Sequence, residues 1–318
     1  MKRITFMCAY ILLGSLLMLK AQTKGVETSF ERGVKGEYAF YADNPFYCPC
    51  TVELTFSKLE NVSFNSVNID VPFQAVVHRG KQRILTLSRM VDDEPIDFRY
   101  SYSSIKGNVK ASVDTDFVYL LPVKPGRKVC IDRTVSMENF LGAKTAARTT
   151  GFIFNMEEGD TVYACRAGIV SEVQDKSAST REHTRYSAHE NFVEIYHQDG
   201  SFSQYKLFKD DGIFVEVGEK VLAGQPVGVI GGSNYEHGSH LRYYTYHLYR
   251  DDSAVDKDGY PSPLIRSKIF IPTFHLGPDQ EDKPIFNQSY TSEHPVKLLL
   301  KEMSKSQKKK YLKEHSLK

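Results

Sequence analysis

Asn191-Phe192-Val193-Glu194-Ile195-Tyr196-His197-Gln198-Asp199-Gly200-Ser201-Phe202-Ser203-Gln204-Tyr205-Lys206-Leu207 holds two runs dominated by β-branched and aromatic residues, with polar residues and a glycine between them. Within each run the period is near two, the spacing of a strand with two different faces. The pattern recurs in both directions. Upstream lie Thr161-Val162-Tyr163-Ala164 and Gly168-Ile169-Val170-Ser171-Glu172-Val173, and downstream lies Leu241-Arg242-Tyr243-Tyr244-Thr245-Tyr246. Gly218-Glu219-Lys220-Val221 and Gly224-Gln225-Pro226-Val227 supply turn chemistry between strands. Residues 176–190 read as a polar insertion without a strand pattern. Ile269-Phe270-Ile271-Pro272-Thr273-Phe274 reads as a last strand, on an edge because of its proline.

Short strands also fill the N-terminal half. Glu37-Tyr38-Ala39-Phe40-Tyr41, Thr51-Val52-Glu53-Leu54-Thr55-Phe56, Arg83-Ile84-Leu85-Thr86-Leu87 and Phe98-Arg99-Tyr100-Ser101-Tyr102 are separated by turn residues. They predict an antiparallel β-sandwich over residues 26–125. Residues 126–150, polar and rich in small side chains, read as a linker. The chain is therefore expected to be all-β, in two domains.

Both ends depart from that pattern. Met1-Lys2-Arg3 opens on basic charge, Ile4 to Leu19 is mostly apolar, and Ala21-Gln22 offers a small residue at a cleavage point. This is the pattern of a signal peptide, with an apolar core short for a spanning helix. It predicts export to the periplasm or the outside, with no membrane span once it is removed. At the other end, Lys301, Lys305, Lys308, Lys309, Lys310 and Lys313 mark a basic helical tail, expected to be solvated.

The net charge is only +2, from 41 basic and 39 acidic residues, which argues against a nucleic-acid binder. Cys48, Cys50, Cys130 and Cys165 remain after signal removal. Cys48-Pro49-Cys50 does not readily close on itself, so a bridge would run to Cys130 or Cys165, and free thiols are the alternative.

Four pieces in order carry a family resemblance. They are Gly159-Asp160-Thr161-Val162 through Gly168-Ile169-Val170; Asn191 through Gly200, then Tyr205; Val217-Gly218-Glu219-Lys220-Val221 through Val227-Gly228; and Gly231, then Gly238-Ser239-His240-Leu241-Arg242-Tyr243. Together they resemble the lysostaphin-type (LytM-like) zinc metalloendopeptidases, which cut peptides of bacterial cell walls. The resemblance implies a peptidase-like β-sheet domain over 151–280, followed by an extension over 281–318 with the Lys-rich helix.

It also implies a zinc site that this sequence lacks. The family's metal is held by a His and an Asp of the first motif and by the second His of a His-x-His pair. Counted back from Gly159, the Asp position falls on Ile153 and the His position on Thr149; the second His of the pair falls on Arg242. No histidine lies between His78 and His183 to replace the first ligand. Isoleucine has no lone pair to give, threonine is a poor zinc ligand, and arginine is a permanent cation that only donates. The catalytic His expected after Tyr205 falls on Leu207, which can move no proton. Only His240, matching the first His of the pair, is retained.

No zinc is therefore expected. With those ligands missing, the resemblance implies an inactive peptidase-like protein that binds peptidoglycan or stem peptides, or regulates a cell-wall hydrolase. Alternatives are an active zinc enzyme with non-standard ligands, drawn from residues such as His237 and His240, and an envelope adhesion or assembly module. Arg242, His240, Tyr235 and Tyr244 are candidate groove residues, since a guanidinium grips a carboxylate with two parallel bonds. Internal pairing of Arg242 with Glu236 or Glu157 is the competing expectation.

Overall fold

The structure, a computed structural model, describes residues 25–63, 72–134, 151–178, 180–184, 187, 190–254 and 264–315. The expected signal segment, Thr149 and most of the expected linker lie outside the described residues. The described residues are all-β apart from two helices near the C-terminus.

The N-terminal part contains β1 (Glu27–Arg32), β2 (Tyr38–Asn44), β3 (Cys50–Glu60), β4 (Phe73–Val77), β5 (Gly80–Leu87) and β6 (Asp97–Lys106). They pair antiparallel as two three-stranded sheets, β1-β2-β5 and β4-β3-β6. Alternation explains the packing. In β3, Val52, Leu54 and Phe56 are buried while Thr55 and Ser57 are exposed. Phe40, Leu85 and Leu87 join them in one core cluster between the sheets.

The second part runs from β7 (Val118–Tyr119) and β8 (Lys128–Arg133) to β9 (Phe152–Asn155), β10 (Thr161–Tyr163), β11 (Gly168–Gln174) and β12 (Phe192–Tyr196). It continues through β13 (Phe202–Lys206), β14 (Phe208–Ile213), β15 (Lys220–Val221), β16 (Pro226–Ile230) and β17 (His240–Asp251). β18 (Leu264–Ile269), β19 (Thr273–Gly277), β20 (Gln280–Asp282) and β21 (Gln288–Thr291) complete it, with α1 (Val296–Leu299) and α2 (Lys305–Glu314). A nine-stranded sheet in the order β15-β11-β12-β13-β17-β9-β8-β21, with β18 beside β17, is its floor. Two smaller sheets, β10-β16-β14 and β20-β19-β7, accompany it. Phe152, Phe154, Val193, Ile195, Tyr205, Leu241, Tyr243 and Phe274 form the core.

Four boundaries differ from the sequence reading. Phe117, Tyr119, Leu121 and Val123, expected at the end of the sandwich, pack into the second core. Lys128–Arg133, expected in the linker, is a sheet strand. Gln288–Thr291, in the expected extension, pairs with it. The expected strand across Pro272 is two strands, β18 and β19, in different sheets; proline has no N–H to continue the ladder.

The two parts meet through close backbone contacts. Gly107 has φ +116, and a Cβ there would lie 2.8 Å from Leu248 Cδ1 and 3.0 Å from Phe202 Cε2. Gly218, φ +94, lies under the Tyr47 ring, 2.3 Å from where its Cβ would stand. Among the described residues no helix is long and apolar enough to cross a membrane. Cys48, Cys50, Cys130 and Cys165 are all free thiols.

Candidate functional site

Strand parity builds the site. Along β17, Leu241 and Tyr243 point into the core and are fully buried. His240, Arg242, Tyr244 and Tyr246 therefore share the opposite face. The register sets their neighbours: Arg242 stands across from Ile153 on β9 and from Lys206 on β13, and His240 stands across from Asn155.

Arg242 is the hub. Its Nε donates to His240 Nε2 at 3.2 Å, and its Nη1 donates to Glu190 Oε1 at 2.7 Å. The guanidinium lies 5.0 Å from the centroid of the Tyr235 ring. Glu190 also accepts from Lys206 Nζ at 3.4 Å and from Tyr235 OH at 3.3 Å. The side chains of Arg242 and Glu190 are 11% and 4% exposed, so this ion pair is largely desolvated. Two like charges directly across a ladder repel; Glu190 offsets this for Lys206 and Arg242.

His240 is fully buried. Its Nδ1 lies 2.7 Å from the Gly238 carbonyl oxygen, which can only accept. Nδ1 therefore carries the proton, and Nε2 offers its lone pair to Arg242. Burial depresses its pKa from 6.5 to about 4; the Gly238 contact works against that and the Arg242 charge reinforces it. At neutral pH the ring is a neutral acceptor. Burial, with the Glu190 carboxylate alongside, raises the Tyr235 phenol.

Leu207 lies just past β13 with φ +78, unusual for a leucine and costing about 1–3 kcal/mol. Its N–H donates to Asn191 O at 2.9 Å, and its carbonyl accepts from Gly231 at 2.8 Å. Its side chain is buried beside Gly232, in the turn that presents Tyr235. Ile153, Leu207, His240 and Arg242 are thus gathered around one end of β17, while Thr149 lies outside the described residues.

The competing expectations for Arg242 resolve toward internal pairing, with an unanticipated partner. Glu157 is 89% exposed and stands 3.9 Å from Arg127. Arg242 pairs with Glu190, from the segment read as a polar insertion. The register explains its place: Phe192 pairs with Lys206, so Glu190, two residues before it, shares the face of Lys206 and Arg242. Of the groove candidates, Tyr235 and His240 are buried, Arg242 is nearly so, and Tyr244 is partly exposed.

Farther along the same face, the chain's N-terminal part closes over the sheet. Buried Glu194 accepts from Tyr246 OH at 2.6 Å, from Ser171 Oγ at 2.9 Å and from Lys106 Nζ, at the end of β6, at 3.1 Å. Lys106 also pairs with Glu172.

A zinc ion would not fit the residues at the Arg242 end. The His240 lone pair is engaged by Arg242, and a second cation beside a guanidinium is repelled by several kcal/mol at an effective dielectric near 20. Among the described residues no three His, Cys, Asp or Glu side chains are grouped to hold a metal.

Residues 147–257 match Peptidase family M23, so the chain carries a lysostaphin-type M23 domain. No curated protein matches the chain. Among solved structures, a catalytic-domain variant of the prophage-encoded M23 protein EnpA from Enterococcus faecalis is similar at 23% identity; 40% of this chain and 87% of that one are covered, with a TM-score of 0.29. The catalytic domain of lysostaphin from Staphylococcus simulans is 20% identical over 43% of this chain and 86% of that one, at a TM-score of 0.26. A zinc-containing peptidase from Vibrio cholerae is 14% identical over 72% and 84%, at 0.28.

Proposed function

We propose that this is an exported protein of the bacterial cell envelope whose M23 domain is non-catalytic and acts by binding the peptide stems of the cell wall. The observation that carries this reading is the bond from Arg242 to His240 and Glu190 at the position where the family resemblance calls for a metal ligand. A permanent cation with its own buried carboxylate takes the place of a divalent ion. Leucine at position 207 removes the second proton-transfer group. What the domain retains is a strand-lined face bearing Tyr244, Gln204 and Lys206, polar groups suited to an extended peptide.

The test pairs two measurements on purified protein. After incubation with zinc and gel filtration, the expected metal content is far below one ion per chain, and peptidoglycan incubated with the protein releases no peptide fragments. The same protein sediments with peptidoglycan and binds soluble muropeptides saturably. Stoichiometric zinc together with release of cleaved stems overturns the reading in favour of an active enzyme with unusual ligands. Absence of any muropeptide binding overturns the binding role.

A further inference from the structure

We propose that α2, the helix Lys305–Glu314, is an electrostatic arm that lies on membrane surfaces bearing anionic phospholipid headgroups. This rests on the C-terminal segment alone and is independent of the reading of the M23 domain.

The root of the arm is fixed. Leu298 and Met303 are buried, and Glu302 accepts from Arg166 Nε at 3.0 Å and from its Nη2 at 2.8 Å. Lys301 lies 3.9 Å from the Phe117 ring centroid. Ser304 then caps α2 directly, exchanging reciprocal bonds with Gln307. Beyond that cap no residue of the helix is buried.

Most of the charge on the arm is uncompensated. Among the described residues Lys310 pairs with Glu314 at 3.8 Å, whereas Lys305, Lys308, Lys309 and Lys313 have no acidic partner. Residues 301–318 hold seven lysines and two glutamates, while the other 300 residues hold 34 basic (41 − 7) and 37 acidic (39 − 2) side chains. The positive end is therefore local. Lys305, Lys309 and Lys313 repel at i,i+4 spacing, and the first turn has no acid to complement the helix dipole. A ten-residue helix under that load is marginal by itself; a polyanionic surface relieves it.

Leu312 selects a lipid surface over a soluble polyphosphate. It falls three, four and seven residues after Lys309, Lys308 and Lys305, in the middle of their face. An apolar side chain ringed by lysines suits the boundary between headgroups and acyl chains. The helix is too polar to insert, so binding is by adsorption.

Full-chain protein is sedimented with phosphatidylglycerol–phosphatidylcholine vesicles and with pure phosphatidylcholine vesicles. The readout is the difference between them, which cancels charge-independent binding by the apolar N-terminal segment. Each lysine near an anionic surface adds roughly fivefold. The variant Lys305→Gln/Lys308→Gln/Lys309→Gln/Lys313→Gln should lower anionic-vesicle binding on the order of a hundredfold or more. The corresponding arginine variant should retain it, and about 1 M salt, with a screening length of about 3 Å, should abolish it. Circular dichroism confirms that each variant is folded. Equal binding to both vesicle types, undiminished binding by the folded glutamine variant, or capture of inorganic polyphosphate without vesicle binding overturns the proposal.

Discussion

Arg242 Nε donates to His240 Nε2 across 3.2 Å, from two residues farther along the same strand. Side chains two apart on a strand share a face, so this contact is a direct product of period-two geometry. The same guanidinium holds Glu190 at 2.7 Å, making Glu190 the anion of the site.

That arrangement predicts an asymmetric response to substitution. Arg242→Met leaves Glu190 buried with Lys206 and Tyr235 but without its shortest partner. Breaking one side of a buried pair costs about 3–5 kcal/mol, and the remaining partners place the expected loss near the lower end. Arg242→Met/Glu190→Leu removes both charges of the pair and should recover part of the loss, since Lys206 and Tyr235 then lack their acceptor. Urea unfolding measures both. A double variant no more stable than the single one would refute the coupling.

Protonation of His240 supplies a second test. Its folded-state pKa is depressed to about 4 from 6.5, mainly by burial. As pH falls below about 6.5 the unfolded chain takes up the proton first, so stability is complete above that value and declines toward pH 4. A shift of that size corresponds to about 3 kcal/mol once both states are protonated. Buried His197, depressed to about 3 by burial and by Arg166, adds a loss of the same sign over an overlapping window. His240→Gln should flatten part of the decline. In the parent, the His240 ring resonances should show no titration step near pH 6.5.

Gly107 tests how the two parts are joined. A Cβ at φ +116 would strain the backbone and press on Leu248 and Phe202 at 2.8 and 3.0 Å. Gly107→Ala should cost about 2 kcal/mol or more and loosen the seating of Lys106 on Glu194. Thermal unfolding should then separate into two transitions. A single unshifted transition would show that the contact contributes nothing.

Much of this was legible in the sequence because strands announce themselves by alternation. Asn191–Leu207 and Leu241–Tyr246 needed only period two to be read as strands, whereas His240 and Arg242 were singled out by the family resemblance to a His-x-His pair. Glu190 was not legible in the same way. Its role depends on the register of β12 against β13 and of β13 against β17, a long-range property that no local pattern carries. Strands β8 and β21 were missed for a related reason: each is short, and they pair across more than 150 residues of chain, Lys128 with Thr291. The left-handed backbone at Leu207 has no sequence signature, since leucine is not a residue that favours it.

Reconstruction of the metal site provides the strongest check on the placement of lost ligands. Arg242→His alone frees the His240 lone pair but leaves Ile153 across the ladder, where no donor exists. One or two imidazoles make a loose site, and tight zinc requires three protein ligands. Arg242→His should therefore lose its zinc on gel filtration, whereas Thr149→His/Ile153→Asp/Arg242→His should retain close to one ion per chain. Peptide-bond cleavage should still be absent from that triple variant, because Leu207 lies where the family resemblance calls for the second catalytic imidazole; adding Leu207→His is the step expected to bring turnover of peptidoglycan. The backbone at Leu207 already sits at φ +78, so the substitution tests whether that turn still aims a side chain at the site. If the triple variant folds and binds no more zinc than the parent, the correspondence between these positions and the ligands is wrong.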